Sequence, residues 1–67
     1  MKITYDKEAD AMYIEFSDAD FSSNKKIDDN TIIDLDKDGK IIGIELLEVS
    51  ERIPKKALSG ISFEGIA

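Results

Sequence analysis

The sequence predicts a small α+β domain, mainly β: an antiparallel sheet of two hairpins with a short C-terminal helix and tail. Three observations carry that expectation. Apolar and polar residues alternate over residues 11–16, and again over 31–36 and 40–47, the period-two signature of strands. An Asp38-Gly39 dipeptide separates the last two runs, where a tight turn belongs. Pro54 precedes and Gly60 follows a short helix-favouring stretch, 55–59, the order in which helices prefer those residues.

Residues 2–5 read as a first strand, with Ile3 and Tyr5 on one face. The polar run Asp6-Lys7-Glu8-Ala9-Asp10 interrupts it as a loop, in which Asp6 ends the strand and accepts backbone N–H bonds. In residues 11–16, Met12, Ile14 and Phe16 point one way, Tyr13 and Glu15 the other. Ile3 and Tyr5 are expected beside Met12 and Ile14. Glu, Ala and Met favour helix, so a helix over 7–16 competes with this strand. Residues 17–30, SDADFSSNKKIDDN, are rich in turn formers and are expected to be a loop between the hairpins. Phe21 and Ile27 are its only large apolar anchors, and a short extra strand around 25–27 is the alternative.

The second hairpin carries the strongest pattern. A two-residue turn at Asp38-Gly39 sets Leu35 against Ile42, Ile33 against Ile44 and Thr31 against Leu46, which gathers the apolar side chains on one face. A one-residue slip sets Leu35 against Ile41 and breaks that match. The other face holds Ile32, Asp34, Asp36, Ile41, Gly43 and Glu45. Gly43 lies opposite Asp34, where a missing side chain makes room for an aromatic ring or a helix. Residues 48–53 fit either one helical turn or a strand exit. Residues 54–67 form a C-terminal extension, in which Ile61, Phe63 and Ile66 suit an edge strand or a docked tail.

Sixty-seven residues make one domain, 1–67. A chain this short buries only about 60% of its extended surface. With no Cys it has no disulfide to add stability and no thiolate, and a cytoplasmic location is expected. With no His it lacks the commonest neutral-pH acid/base and metal ligand. Excellent packing or oligomerisation remain as sources of stability. The net charge of −6 argues against nucleic acid and anionic membrane as partners, because phosphate contacts need Lys and Arg. Residues 1–10 hold no apolar run, so neither a signal peptide nor a membrane-spanning segment is expected.

Two acidic constellations raise functional questions. Asp34-Leu35-Asp36-Lys37-Asp38-Gly39, with Glu45 six residues after the glycine, matches the EF-hand calcium-loop pattern. Three carboxylates, a sharp turn and a closing Glu are what calcium needs. The flanks read as β rather than helix, and an extended chain spreads those ligands apart. A solvated strand face with an Asp-Gly turn is therefore the simpler reading. A divalent-cation site at Asp34, Asp36, Asp38 and Glu45 is the alternative. Asp6, Glu8 and Asp10 would do carboxylate chemistry only if one were sheltered in a cleft, and a chain of this length seldom has one. No catalytic residue and no cofactor are expected. Tyr5 and Tyr13 read as half-buried sheet residues or as contact anchors, and Ile32, Ile41, Leu47 and Phe63 complete the candidate interface.

The chain also resembles a known family. The residues that carry the resemblance are Tyr5-Asp6-Lys7-Glu8-Ala9-Asp10-Ala11-Met12-Tyr13-Ile14, then Thr31 to Asp36 through Asp38-Gly39 to Gly43-Ile44-Glu45-Leu46-Leu47, with Ser50 beyond. Their order and spacing resemble the DUF2283 family of small uncharacterised prokaryotic domains, over roughly residues 2–52. The resemblance implies a compact, mostly antiparallel sheet with a C-terminal helical element, and no activity. Members sometimes occur beside toxin-like genes, so it also implies an antitoxin-like partner of a toxin as an alternative role. Relatives tend to stop soon after the Ser50 position, which makes Pro54 and the Phe63 tail extra. Residue chemistry and resemblance together lead to the expectation of a non-catalytic protein-interaction or oligomerisation module. It is expected to form a homo-oligomer, a dimer, and a second protein partner is compatible with that.

Overall fold

The computed structural model describes residues 1–59. They form strands β1 (Lys2–Asp6), β2 (Ala11–Glu15), β3 (Ser23–Asp28), β4 (Thr31–Leu35) and β5 (Ile41–Leu46), then helices α1 (Val49–Arg52) and α2 (Lys55–Ser59). The strands make one five-stranded sheet in the order β1-β2-β5-β4-β3, with every pair antiparallel. The mainly-β fold read from the sequence is the fold observed.

The registers turn alternating sequence into rows across the sheet. Ile3, Ile14, Ile44 and Ile33 are successive partners on β1, β2, β5 and β4. Tyr5, Met12, Leu46 and Thr31 make the neighbouring row on the same face. The opposite face carries Lys2, Glu15, Gly43 and Asp34 in one row, and Thr4, Tyr13, Glu45 and Ile32 in the next. Period two therefore sorts apolar from polar residues without further help. The first hairpin pairs as its sequence suggests, and the competing helix over 7–16 does not form.

Three features depart from the sequence reading. The stretch 17–30 is not wholly loop: the alternative of an extra strand around 25–27 is the one observed, as the edge strand Ser23–Asp28. Phe21 and Ile27 are more than half exposed and anchor nothing. The third departure is the turn. Asp36 N–H bonds to Lys40 O at 2.9 Å and Gly39 N–H to Asp36 O at 3.0 Å, with Gly39 left-handed at φ 78°. This is the three-residue hairpin loop in which a β-turn is followed by a left-handed glycine. The two-residue turn is excluded because the Asp36 side chain also takes the N–H groups of Asp38 and Lys40, both at 2.9 Å.

The extra loop residue produces the slip that sequence reasoning warned against, and Leu35 lies opposite Ile41. A bulge removes it at once. Ile42 has no partner of its own, Asp34 faces Gly43, and the expected register holds from there to Thr31 and Leu46. Bulges insert one residue and bend the strand. Here the bulge turns Ile42 inward, 5% exposed, and leaves Ile41 outward, 50% exposed. The Ile42 carbonyl accepts both Phe16 N–H (2.8 Å) and Ser17 N–H (3.2 Å), which ends β2.

The core is small. Among the residues whose side chains are described, Met12, Ile42 and Val49 are the buried apolar ones and none that is polar or charged is buried. Of the two fits for residues 48–53, the helical turn is the one observed. Val49, Arg52, Ile53 and Leu46 line one hollow. The short helix after Pro54 also forms, but Pro54 stands one residue before it and its carbonyl accepts the first bonds, from Ala57 and Leu58 N–H. Gly60, Ile61, Phe63 and Ile66 lie outside the described residues. No helix of the described residues is long and apolar enough to cross a membrane.

Candidate functional site

The calcium-like string lies on β4, the following loop and β5. Asp34 and Glu45 share the polar face on neighbouring strands, in adjacent rows, while Asp36 and Asp38 occupy the loop. One Asp36 oxygen is committed to two backbone N–H groups, and Asp38 is exposed at the tip. Among the described residues no three carboxylates gather closely enough to hold a metal ion. Extended backbone separates the ligands that a calcium loop would wrap.

The polar face has its own centre. The Tyr13 ring crosses β5 at Gly43, where any Cβ would run into it. Its hydroxyl donates to Asp34 Oδ2 on β4 at 2.9 Å. Glycine thus removes the obstacle between a tyrosine on β2 and a carboxylate on β4, and the aromatic ring covers the gap in the strand. Burial, and then the bond to Asp34, push the Tyr13 phenol above its ordinary 10.0. The hydroxyl is therefore a donor at neutral pH, not a base.

A second cluster joins the first hairpin to α1. Asp6 Oδ1 accepts the N–H groups of Glu8 (3.0 Å) and Ala9 (3.2 Å), which folds the loop as the sequence suggests. Asp10 then takes the left-handed conformation, φ 51°, which Asp tolerates better than most residues. That bend aims its carboxylate at the helix. Asp10 accepts Ser50 Oγ–H at 2.7 Å, Ser50 N–H at 3.0 Å and Tyr5 O–H at 2.9 Å. Its carbonyl accepts Val49 N–H at 3.0 Å. Glu48, itself left-handed, gives α1 no side-chain cap, so a residue 40 positions from Ser50 supplies it. Bonding to Asp10 raises the Tyr5 phenol as well.

Sequence reasoning singled out Tyr5, Asp10 and Ser50 separately and did not join them. No local signal links residues so far apart, whereas the Tyr13–Asp34 bond was half visible in the Gly43 register. The structure does not bring Asp6, Glu8 and Asp10 into a common pocket, because Asp6 and Asp10 turn to different backbone groups. Among the interface candidates, Tyr5 (37%) and Ile41 (50%) are exposed. Tyr13, Ile32 and Leu47 are half-buried, with Leu47 N–H held by Asn30 O at 2.9 Å. Phe63 lies outside the described residues.

Fold and site together define a small antiparallel-sheet domain whose two acidic clusters hold backbone and tyrosine hydroxyls. The chain belongs to the family described as protein of unknown function, DUF2283, which it matches over residues 2–50. The match takes in the whole sheet and ends on Ser50, the residue that Asp10 holds. No curated protein and no solved structure matches the chain.

Proposed function

We propose that this domain is a non-catalytic interaction module that acts by associating with a second copy of itself. The observation that carries the reading is the sparse cover of the one sheet that the described residues form. Four isoleucines form a row across it, yet only Met12, Ile42 and Val49 among the described apolar side chains are buried. Each large aliphatic side chain taken fully from water contributes about 1.5–3 kcal/mol. A small domain that leaves such a row half-covered has much to gain from a partner. The carboxylates that would have to do chemistry accept bonds from backbone and hydroxyl groups instead, which supports a binding role over a catalytic one.

Sedimentation and light scattering over a concentration series test this. The expected result is a species of twice the 7.5 kDa chain mass and a melting temperature that rises with protein concentration. A monomer at every concentration, with an unchanging melting temperature, would overturn it.

A further inference from the structure

We infer that the outer edge of β1 is where two copies join, by antiparallel pairing of β1 with its own counterpart about a two-fold axis through Thr4. This rests on the self-association proposed above and places the contact at the sheet edge, where main-chain pairing and cross-strand side chains, rather than cover of the isoleucine face, hold the two copies. Among the described residues the sheet has two edges, β1 and β3, and they differ in what they would meet in a second copy.

Pairing β1, Lys-Ile-Thr-Tyr-Asp, with itself about Thr4 sets Lys2 against the partner's Asp6 and Ile3 against the partner's Tyr5. Thr4 meets the partner's Thr4, and the remaining two pairs repeat the first two by symmetry. Opposite charges, an aromatic against a β-branched residue, and Thr against Thr are the cross-strand pairs that stabilise sheets. Every position of the strand is therefore matched. The result does not depend on which alternate N–H groups face outward, since an antiparallel axis passes through either kind of pair. β1 is also accessible: Lys2, Thr4, Tyr5 and Asp6 are exposed, and Tyr5 is already oriented by its bond to Asp10.

β3, Ser-Asn-Lys-Lys-Ile-Asp, behaves in the opposite way. A two-fold axis at its middle passes through Lys25 or through Lys26, and either way sets that lysine against the partner's copy of itself. The strand also carries an irregularity between Lys26 and Asp28. Lysines and bulges are how natural sheets keep an edge from pairing. A two-fold β1 contact closes on itself as a dimer, whereas β1 against β3 would repeat head to tail, into a ring or a filament.

The dimer would be one ten-stranded sheet. Its isoleucine row, Ile3-Ile14-Ile44-Ile33, would run on into the partner's Tyr5-Met12-Leu46 row. Five residue pairs make a contact smaller than the standard interface of about 800 Å² a side, so association that depends on protein concentration is expected.

The axis through Thr4 gives a specific test. T4K sets two lysines face to face and T4E two glutamates, while a mixture of the two variants sets Lys against Glu. Each single variant is expected to self-associate about fivefold more weakly than the unaltered protein. The mixture is expected to recover association as a heterodimer, counted by native mass spectrometry. Circular dichroism checks that both variants keep the sheet, the outcome expected at an exposed position such as Thr4. Amide exchange on the unaltered protein adds a measurement that needs no variant: protection of β1 amides is expected to grow with protein concentration, with β3 unaffected. Variants that dimerise as tightly as the unaltered protein, a mixture without recovery, or protection at β3 instead would each overturn the β1 contact and leave self-association standing. Assemblies that grow beyond two copies would overturn the two-fold arrangement. A monomer at every concentration would overturn both proposals.

Discussion

The loop after β1 and the loop after β4 begin with the same chemistry and end with different consequences. Each starts with an aspartate whose Oδ1 accepts two backbone N–H groups: Asp6 from Glu8 and Ala9, Asp36 from Asp38 and Lys40. Each ends in a left-handed residue, Asp10 in one and Gly39 in the other. Glycine in the second loop ends the matter there, since it has no side chain to reach anything. Aspartate in the first loop carries a carboxylate out of the turn to Ser50 and Tyr5. One loop is a local hairpin connection, and the other fastens a helix to the sheet. The loop that looks like a calcium site is the local one, and the plain one has the tertiary role.

The largest expected effect breaks the fastening. D10A removes the acceptor for Ser50 and Tyr5 and places alanine in a left-handed conformation, and is expected to destabilise the domain by about 3 kcal/mol in urea unfolding. D10N keeps the backbone preference and one acceptor oxygen, so a smaller loss separates backbone strain from hydrogen bonding. S50A is expected to cost about 1 kcal/mol and to be non-additive with D10A, because both remove the same bond. A D10A variant as stable as the unaltered protein would show that the helix holds itself in place.

D36A comes next. It removes two backbone acceptor contacts at an exposed loop, for a loss of about 1 kcal/mol, additive with D10A because the sites share no partner. Strong coupling between D36A and D10A would mean that the two loops are not independent.

Alkaline pH gives a smaller effect with a defined sign. Tyr5 and Tyr13 both hold their protons above the ordinary 10.0. The unfolded chain then loses those protons first. The stability that the two bonds supply is whole below pH 10 and is lost as pH rises through the folded-state values. Absorbance titration is expected to show both phenols ionising late, and Y5F is expected to remove the Tyr5 part. Ionisation at the ordinary value in the folded protein would show that the tyrosine bonds are not made in solution.

The smallest expected effect is none at all: millimolar Ca²⁺ should leave the melting temperature unchanged, because the Asp36 oxygen already serves backbone N–H groups and Asp34 holds Tyr13. A rise that D36N abolishes would make the second loop a cation site after all.

How much of this was legible beforehand depended on range. The two hairpins, the first register and the Asp6 turn follow from neighbours in sequence. The Asp38-Gly39 signal located the turn but not its length. A two-residue loop and a three-residue loop with a left-handed glycine use the same residues, and the choice fell to the Asp36 side chain. The Ile41–Ile42 bulge is the consequence, and it preserved the register by cancelling the extra loop residue. Strand β3 was only an alternative, since its polar sequence has no alternation and it pairs because β4 offers an edge. Of the candidate site, Tyr13 over Gly43 was foreshadowed by a glycine opposite Asp34.

By itself, then, the sequence determined the period-two strands, their apolar face, the positions of the turns and the absence of His and Cys chemistry. These follow from backbone geometry and side-chain type, which each short segment carries within it. Only the tertiary structure decided that Asp10 meets Ser50, that Tyr13 crosses to Asp34, and that β1 and β3 are the edges of the sheet among the described residues. Those depend on which strands become neighbours, and neighbours in a sheet are chosen by the burial of a whole face rather than by any one segment.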